Sequence, residues 1–212
     1  MSESLPPPRE RPRRVYVPAI GPGLKPLLWF VLVGFALMGA NGAYLASVTF
    51  LQWARGTLQQ TYFSLLMVIV HIALGLLILI PFVVFGFAHL FTAWKRPNRA
   101  AVRWGVALLI VGLIVLFSGF VLMRVEVPFG RYGSLKLEAR DPTIHGLGYW
   151  LHVALPFLVI VLYLRHRMAG PRVKWEYARV WLGGVGAFLA AMAALHTHDP
   201  RVAKRSADPR YT

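Results

Sequence analysis

Residues 62–94 read YFSLLMVIVHIALGLLILIPFVVFGFAHLFTAW. Not one Asp, Glu, Lys or Arg interrupts them, and about twenty apolar residues suffice to cross the hydrocarbon core of a bilayer. Lys95, Arg96 and Pro97 then close the stretch. Charge belongs at the membrane surface, and proline disfavours a continuing helix. The segment therefore reads as a membrane-spanning helix, and the only basic side chains inside it are His71 and His89.

Four more apolar stretches lie around it, at about 26–51, 101–123, 142–166 and 177–195. Hydrophobic residues make up 57% of the 212-residue chain and charged residues 15%, against about 25% charged in soluble domains. An ordinary water-soluble enzyme is excluded. The expected fold is an all-α integral membrane protein of about five transmembrane helices, with a four-helix bundle formed around the second and fourth spans. The transmembrane domain occupies 26–196. Residues 1–25 are rich in Pro and Arg, cannot bury a core and are expected to be a disordered tail; no cleavable signal peptide is expected there. Residues 197–212 form a second polar tail. Asp141-Pro142 has the form of a helix cap followed by proline at the first helical position. With no cysteine in the chain, disulfides, thiolate metal sites, iron–sulfur clusters and covalently attached haem c have no ligands here.

Fourteen of the 23 Lys and Arg residues fall in the N-terminal tail or in the second and fourth connections and the span ends beside them (Arg103, Arg165 and Arg179), and nine in the other three polar segments. Cationic segments stay in the cytoplasm. The expectation is a cytoplasmic N-terminus and an outer C-terminus in a bacterial-type inner membrane.

An ionisable side chain inside a membrane is a functional candidate by default. His71 and His89 are eighteen residues apart, five whole helical turns, so they share a face. On the fourth span His145, His152 and His166 also fall on one stripe, to within about 40°. One crossing separates the two spans, so they run parallel. His71 and His152 then lie at one depth, His89 and His166 at another. Two histidine pairs on parallel helices are what two bis-histidine haems b require, and neutral imidazole is a suitable iron ligand. The spacings correspond to roughly 27 Å and 21 Å of helix rise, so the second helix must tilt or kink, and Pro81 offers a reason to kink.

Other features have two readings. Gly75 is one turn from His71, and Gly105, Gly112 and Gly119 repeat every seven residues on the third span. These give either a smooth approach for a flat ring or a helix-packing surface. Arg103 and Arg124 bracket the third span, either as haem-propionate partners or as interfacial anchors. His166 is a ligand or, flanked by Arg165 and Arg167, an interfacial residue. His145 is expected to contact a quinone, a propionate or water, with Asp141, Glu126 and Arg124 as neighbours. His196 and His198 read as surface residues of the tail, and the seven tryptophans as interfacial belts.

Over about residues 62–167 this pattern resembles the membrane-bound dihaem cytochromes b, both the cytochrome b/b6 core and the anchor subunits of formate dehydrogenases, hydrogenases and nitrate reductases. The resemblance rests on His71 and His89, His152 and His166, and glycines on the same stripe. The spacing on the second span departs from the b/b6 core, where both helices space their ligands by thirteen or fourteen intervening residues. The resemblance implies electron transfer between a quinone pool and a partner redox subunit, such as an outer-face multihaem cytochrome. Two rivals remain at this stage. One is a cofactor-free or chlorophyll-binding structural subunit; the other is a transporter, against which stands the absence of Asp and Glu from the spans. Nothing suggests nucleic acid as a partner.

Overall fold

The computed structural model describes residues 20–123, 125–128, 134–137, 141–170 and 175–198. It contains five long helices: α1 (Lys25–Arg55), α2 (Tyr62–Ala93), α3 (Arg99–Leu122), α4 (Pro142–Met168) and α5 (Trp175–Thr197). All five are long and apolar enough to cross a membrane, and no more than 17% of any apolar window is buried inside the protein. Their remaining apolar surface therefore faces outward, as lipid-exposed helices require. This is an all-α, multi-pass membrane protein. Each helix boundary falls within four residues of the sequence expectation. Most of the two tails, together with Arg124, Arg140 and the segments beside them, lies outside the described residues.

Each helix begins or ends where its local chemistry says it should. Gly56, with φ +62°, terminates α1 in the left-handed conformation that glycine adopts without penalty. Thr61 caps α2 by accepting from the Ser64 N–H at 3.0 Å, while the Ser64 hydroxyl accepts from the Thr61 N–H at 2.8 Å. This is a reciprocal capping box. The Asn98 side chain caps α3 and also donates to the Ala169 carbonyl at 2.6 Å, tying the start of α3 to the end of α4.

Asp141 caps α4, its Oδ1 accepting from Thr143 N–H at 2.7 Å and Ile144 N–H at 3.2 Å. Those backbone donors, Ile144 first, hold its carboxyl below the usual carboxylate range. A depressed folded-state pKa gives stability that is complete above the ordinary value and lost as pH falls through the lowered one. Asp141→Ala should therefore lower the Tm in detergent at neutral pH, and the gap to wild type should narrow under strong acid. A gap independent of pH would contradict this role for the cap.

The connection between α3 and α4 holds an antiparallel hairpin, β1 (Val125–Pro128) and β2 (Ser134–Leu137), with Val125 opposite Leu137. By composition the connection from Arg124 to Arg140 is a polar loop with several turn residues. Alternating Val125-Glu126-Val127 and Leu135-Lys136-Leu137 around Gly130 and Gly133 is a strand-period pattern.

Helix packing is uneven. α3 lies most closely on α4, and α1 lies on α2 and α5, whereas the backbones of α2 and α4 barely approach each other. Ala40, Tyr44, Val48 and Met192 form a small core between α1 and α5. Trp29 and Trp181 stack at 6.1 Å between the same two helices. Ile78, fully buried, fits the notch left by Gly34 on α1.

Candidate functional site

Four of the histidines meet in two pairs. The imidazole centroids of His71 and His152 are 5.9 Å apart, with ring planes at 86°. Those of His89 and His166 are 6.2 Å apart, again at 86°. All four rings are half-buried. The pairing requires α2 and α4 to run parallel with matching depths, and both pairs close although the sequence spacings differ by four residues. α2 continues as helix through Pro81.

His152 and His166 are fixed by α3. His152 Nδ1 lies 3.1 Å from the Val115 carbonyl oxygen and 3.2 Å from Ser118 Oγ. His166 Nδ1 lies 3.0 Å from the Ala101 carbonyl oxygen. A carbonyl oxygen can only accept, so Nδ1 carries the proton in both rings and Nε2 keeps its lone pair free. A hydrogen bond of this kind on the far nitrogen sets the orientation of a metal-binding imidazole and raises its basicity.

Glycine makes those carbonyls reachable. Gly119 stands four residues after Val115, and Gly105 four residues after Ala101. A Cβ at Gly119 would lie 3.1 Å from His152 Cε1, and one at Gly105 the same distance from His166 Cε1. The carbonyl has two lone pairs, so it serves its own helix and the imidazole together. Fourteen residues separate the two glycines and fourteen separate the two histidines. On antiparallel neighbours, equal spacing brings both contacts into register at once. The third glycine of the stripe, Gly112, leaves room for Phe82, whose ring meets Phe35 edge-on at 5.2 Å. The stripe is thus a row of sockets for His166, Phe82 and His152.

On α2, Phe85 stacks on His89 at 5.5 Å with planes 6° apart. Gly42 of α1 faces His71, where an added Cβ would lie 3.4 Å from Cε1. Between the two levels sit Ile78, Phe35 and Phe82, all apolar.

Two imidazoles facing each other suit one type of metal better than another. Among the described residues no group of three or more His, Asp or Glu gathers, so nothing there supplies the four protein ligands of a structural zinc site. Haem iron brings its own equatorial nitrogens and needs only axial ligands. A metal–imidazole bond is about 2 Å long and the centroid lies roughly 1 Å beyond the nitrogen, so imidazoles on opposite sides of one metal have centroids about 6 Å apart. Both separations fit.

The remaining sequence candidates are placed differently. Gly75 faces the Met38 thioether of α1, 3.8 Å from an added Cβ, and not either histidine pair. Arg103 is exposed beside Trp94, Arg99, Val106 and Ile110 along an open groove. Arg124 and the Glu126 side chain lie outside the described residues. His145 is half-buried in the first turn of α4, and Asp141 is engaged as the cap of that helix.

His196 is not a surface residue of the tail. α5 continues to Thr197, and His196 Nδ1 lies 2.9 Å from the Tyr44 hydroxyl and 3.4 Å from Thr61 Oγ1. Tyr44 and Thr61 are both buried. The contact joins α5 to α1 and to the cap of α2.

The chain matches no family model, no curated protein and no solved structure. The functional reading therefore stands on the site itself.

Proposed function

We propose that the chain is a b-type cytochrome subunit, carrying electrons across the membrane between a quinone pool and a partner redox subunit. The observation that carries the reading is one facing-imidazole geometry repeated at two depths of the same helix pair. His71 and His152 would hold one haem b, and His89 and His166 a second. Bound haem supplies reversible one-electron chemistry, tuned by its axial ligands and by burial.

The protein's own residues do the tuning. Val115 and Ala101 hold the His152 and His166 protons on Nδ1, which leaves the Nε2 lone pair free to ligate. Ile78, Phe35 and Phe82 keep polar groups and water out of the region between the levels, which lowers the local dielectric. The backbones of α2 and α4 approach only loosely, and the facing histidine side chains bridge the gap. His145, near the start of α4, is the candidate for contact with a quinone or a propionate, and Arg103 and Arg124 are candidates for propionates. An outer-face multihaem cytochrome is one partner that would suit the subunit.

The test is a visible spectrum of the purified protein before and after addition of a reduced quinol. Haem bands that sharpen on reduction support the reading. A chlorophyll spectrum, or a colourless protein, would replace it with a pigment-binding or structural subunit, or with a transporter.

The charge distribution favours a cytoplasmic N-terminus in a bacterial-type inner membrane, with the C-terminus outside. Protease added to intact spheroplasts should cut between Arg201 and Arg210 and spare Arg9–Arg14. The opposite pattern would reverse the orientation and place the His89–His166 level on the outer side.

A further inference from the structure

His152 and His166 each have a carbonyl on α3 to receive the Nδ1 proton, but His71 on α2 has no equivalent among the described residues. Its Nδ1 is buried and makes no hydrogen bond among the described residues. A ligating imidazole whose second nitrogen is left unbonded is unusual, because such rings almost always donate it to a carboxylate, a carbonyl or water.

Asn41 on α1 is in the complementary state. Its side chain is fully buried, 0% exposed. The amide nitrogen donates to the Met67 carbonyl at 3.2 Å and lies 3.7 Å from the Met67 sulfur, which fixes the amide so that Oδ1 faces elsewhere. Oδ1 has no partner. Nothing in the hydrocarbon region satisfies an orphaned amide oxygen from outside. Met67 is one helical turn before His71, and Gly42, the neighbour of Asn41, is the residue that faces the His71 ring. An acceptor without a donor and a donor without an acceptor therefore lie on facing turns of α1 and α2.

We infer that Asn41 is the positioning residue of His71, with Oδ1 receiving the Nδ1 proton either after a small side-chain rotation or through one bridging water. The inference rests on the reading of His71 as a haem ligand. It gives the His71–His152 level a side-chain acceptor on α1 in addition to the backbone acceptor on α3. Hydrogen bonding at Nδ1 makes an imidazole a stronger electron donor and so favours the oxidised metal. Removing the acceptor should raise the midpoint potential of that haem, and strengthening it should lower it.

The test compares wild type, Asn41→Leu and Asn41→Asp by redox titration and by low-temperature EPR of the oxidised haems. Both variants lose the amide donor to Met67, but only Asp keeps an acceptor. The expected result is one haem whose potential moves up in Asn41→Leu and down in Asn41→Asp, with its EPR signature altered, while the other haem stays where it was. Potentials that do not move, or that move the same way in both variants, would overturn the inference and leave Asn41 as a tether to Met67. If Asn41→Leu fails to assemble, Asn41→Asp decides alone: a lowered potential supports the role and an unchanged or raised one overturns it. Failure of the dihaem reading shows separately, as wild-type protein without haem bands.

Discussion

Replacing His71 or His152 by alanine is expected to remove the same haem, and replacing His89 or His166 the other. An axial position left empty takes away one of the two protein bonds that hold a b-type haem in place. The four single variants should fall into two spectral classes of two, each keeping about half of the wild-type haem, while His145→Ala keeps all of it. The pairing follows from ring separations of 5.9 and 6.2 Å. His166 is the informative member, because Arg165 and Arg167 flank it near the end of α4. Its Nδ1 contact with the Ala101 carbonyl nevertheless turns it inward toward α3. Haem content and a redox titration of each variant check this. Loss of different haems in His71→Ala and His152→Ala would refute the pairing by depth.

The second large effect is expected at residues that touch no cofactor. Gly119→Val and Gly105→Val should each empty one site, Gly119 that of His152 and Gly105 that of His166. Even a single Cβ there would lie 3.1 Å from the imidazole, and a branched side chain displaces the ring from the carbonyl that orients it. Losing the hydrogen bond that orients a ligating imidazole costs about 10–100-fold in metal-site affinity. The alanine variants should therefore show weakened binding of one haem, and the valine variants its loss. Gly183→Ala, with nothing within 4 Å of the added carbon, serves as the control and should keep both. Haem content after dilution or mild detergent washing measures the difference. Equal behaviour of Gly119→Val and Gly183→Ala would remove the socket from the account.

Much of this architecture was legible before any coordinates. The five spans follow from uninterrupted apolar length, because a bilayer imposes a minimum on it. The histidine faces follow from helical periodicity, and the parallel course of α2 and α4 from counting crossings. The role of the glycines was only half legible. Their seven-residue repeat was visible, but its two sequence readings were a flat macrocycle and general helix packing, and the structure gives sockets for side chains. The fourteen-residue spacing shared by Gly105–Gly119 and His152–His166 was the signal available, and it has meaning only once α3 and α4 are set antiparallel. Asn41 carried a weaker sign, as an amide within an apolar span. Its contact with Met67 and its closeness to His71 depend on how α1 rotates about its axis, which periodicity leaves open.

His196 was misplaced for a different reason. Ending the fifth span at Leu195 put the histidine into the tail, whereas two further helical residues keep it on the face that meets Tyr44 and Thr61. Tyr44 and Thr61 are far away in sequence, so no local pattern joins them to it. The hairpin of the α3–α4 connection is hard to see in the sequence, because polar residues and glycines surround its two short alternating runs.

The central claim is that each facing histidine pair holds one haem, and it is tested most directly by the ratio of haem to polypeptide. Pyridine haemochrome analysis of the purified wild-type chain, set against quantitative amino-acid analysis, should give two b-type haems per chain, both low-spin when oxidised. One haem per chain would mean that one of the two pairs is not a ligand pair. None, from membranes well supplied with haem, would contradict the account as a whole.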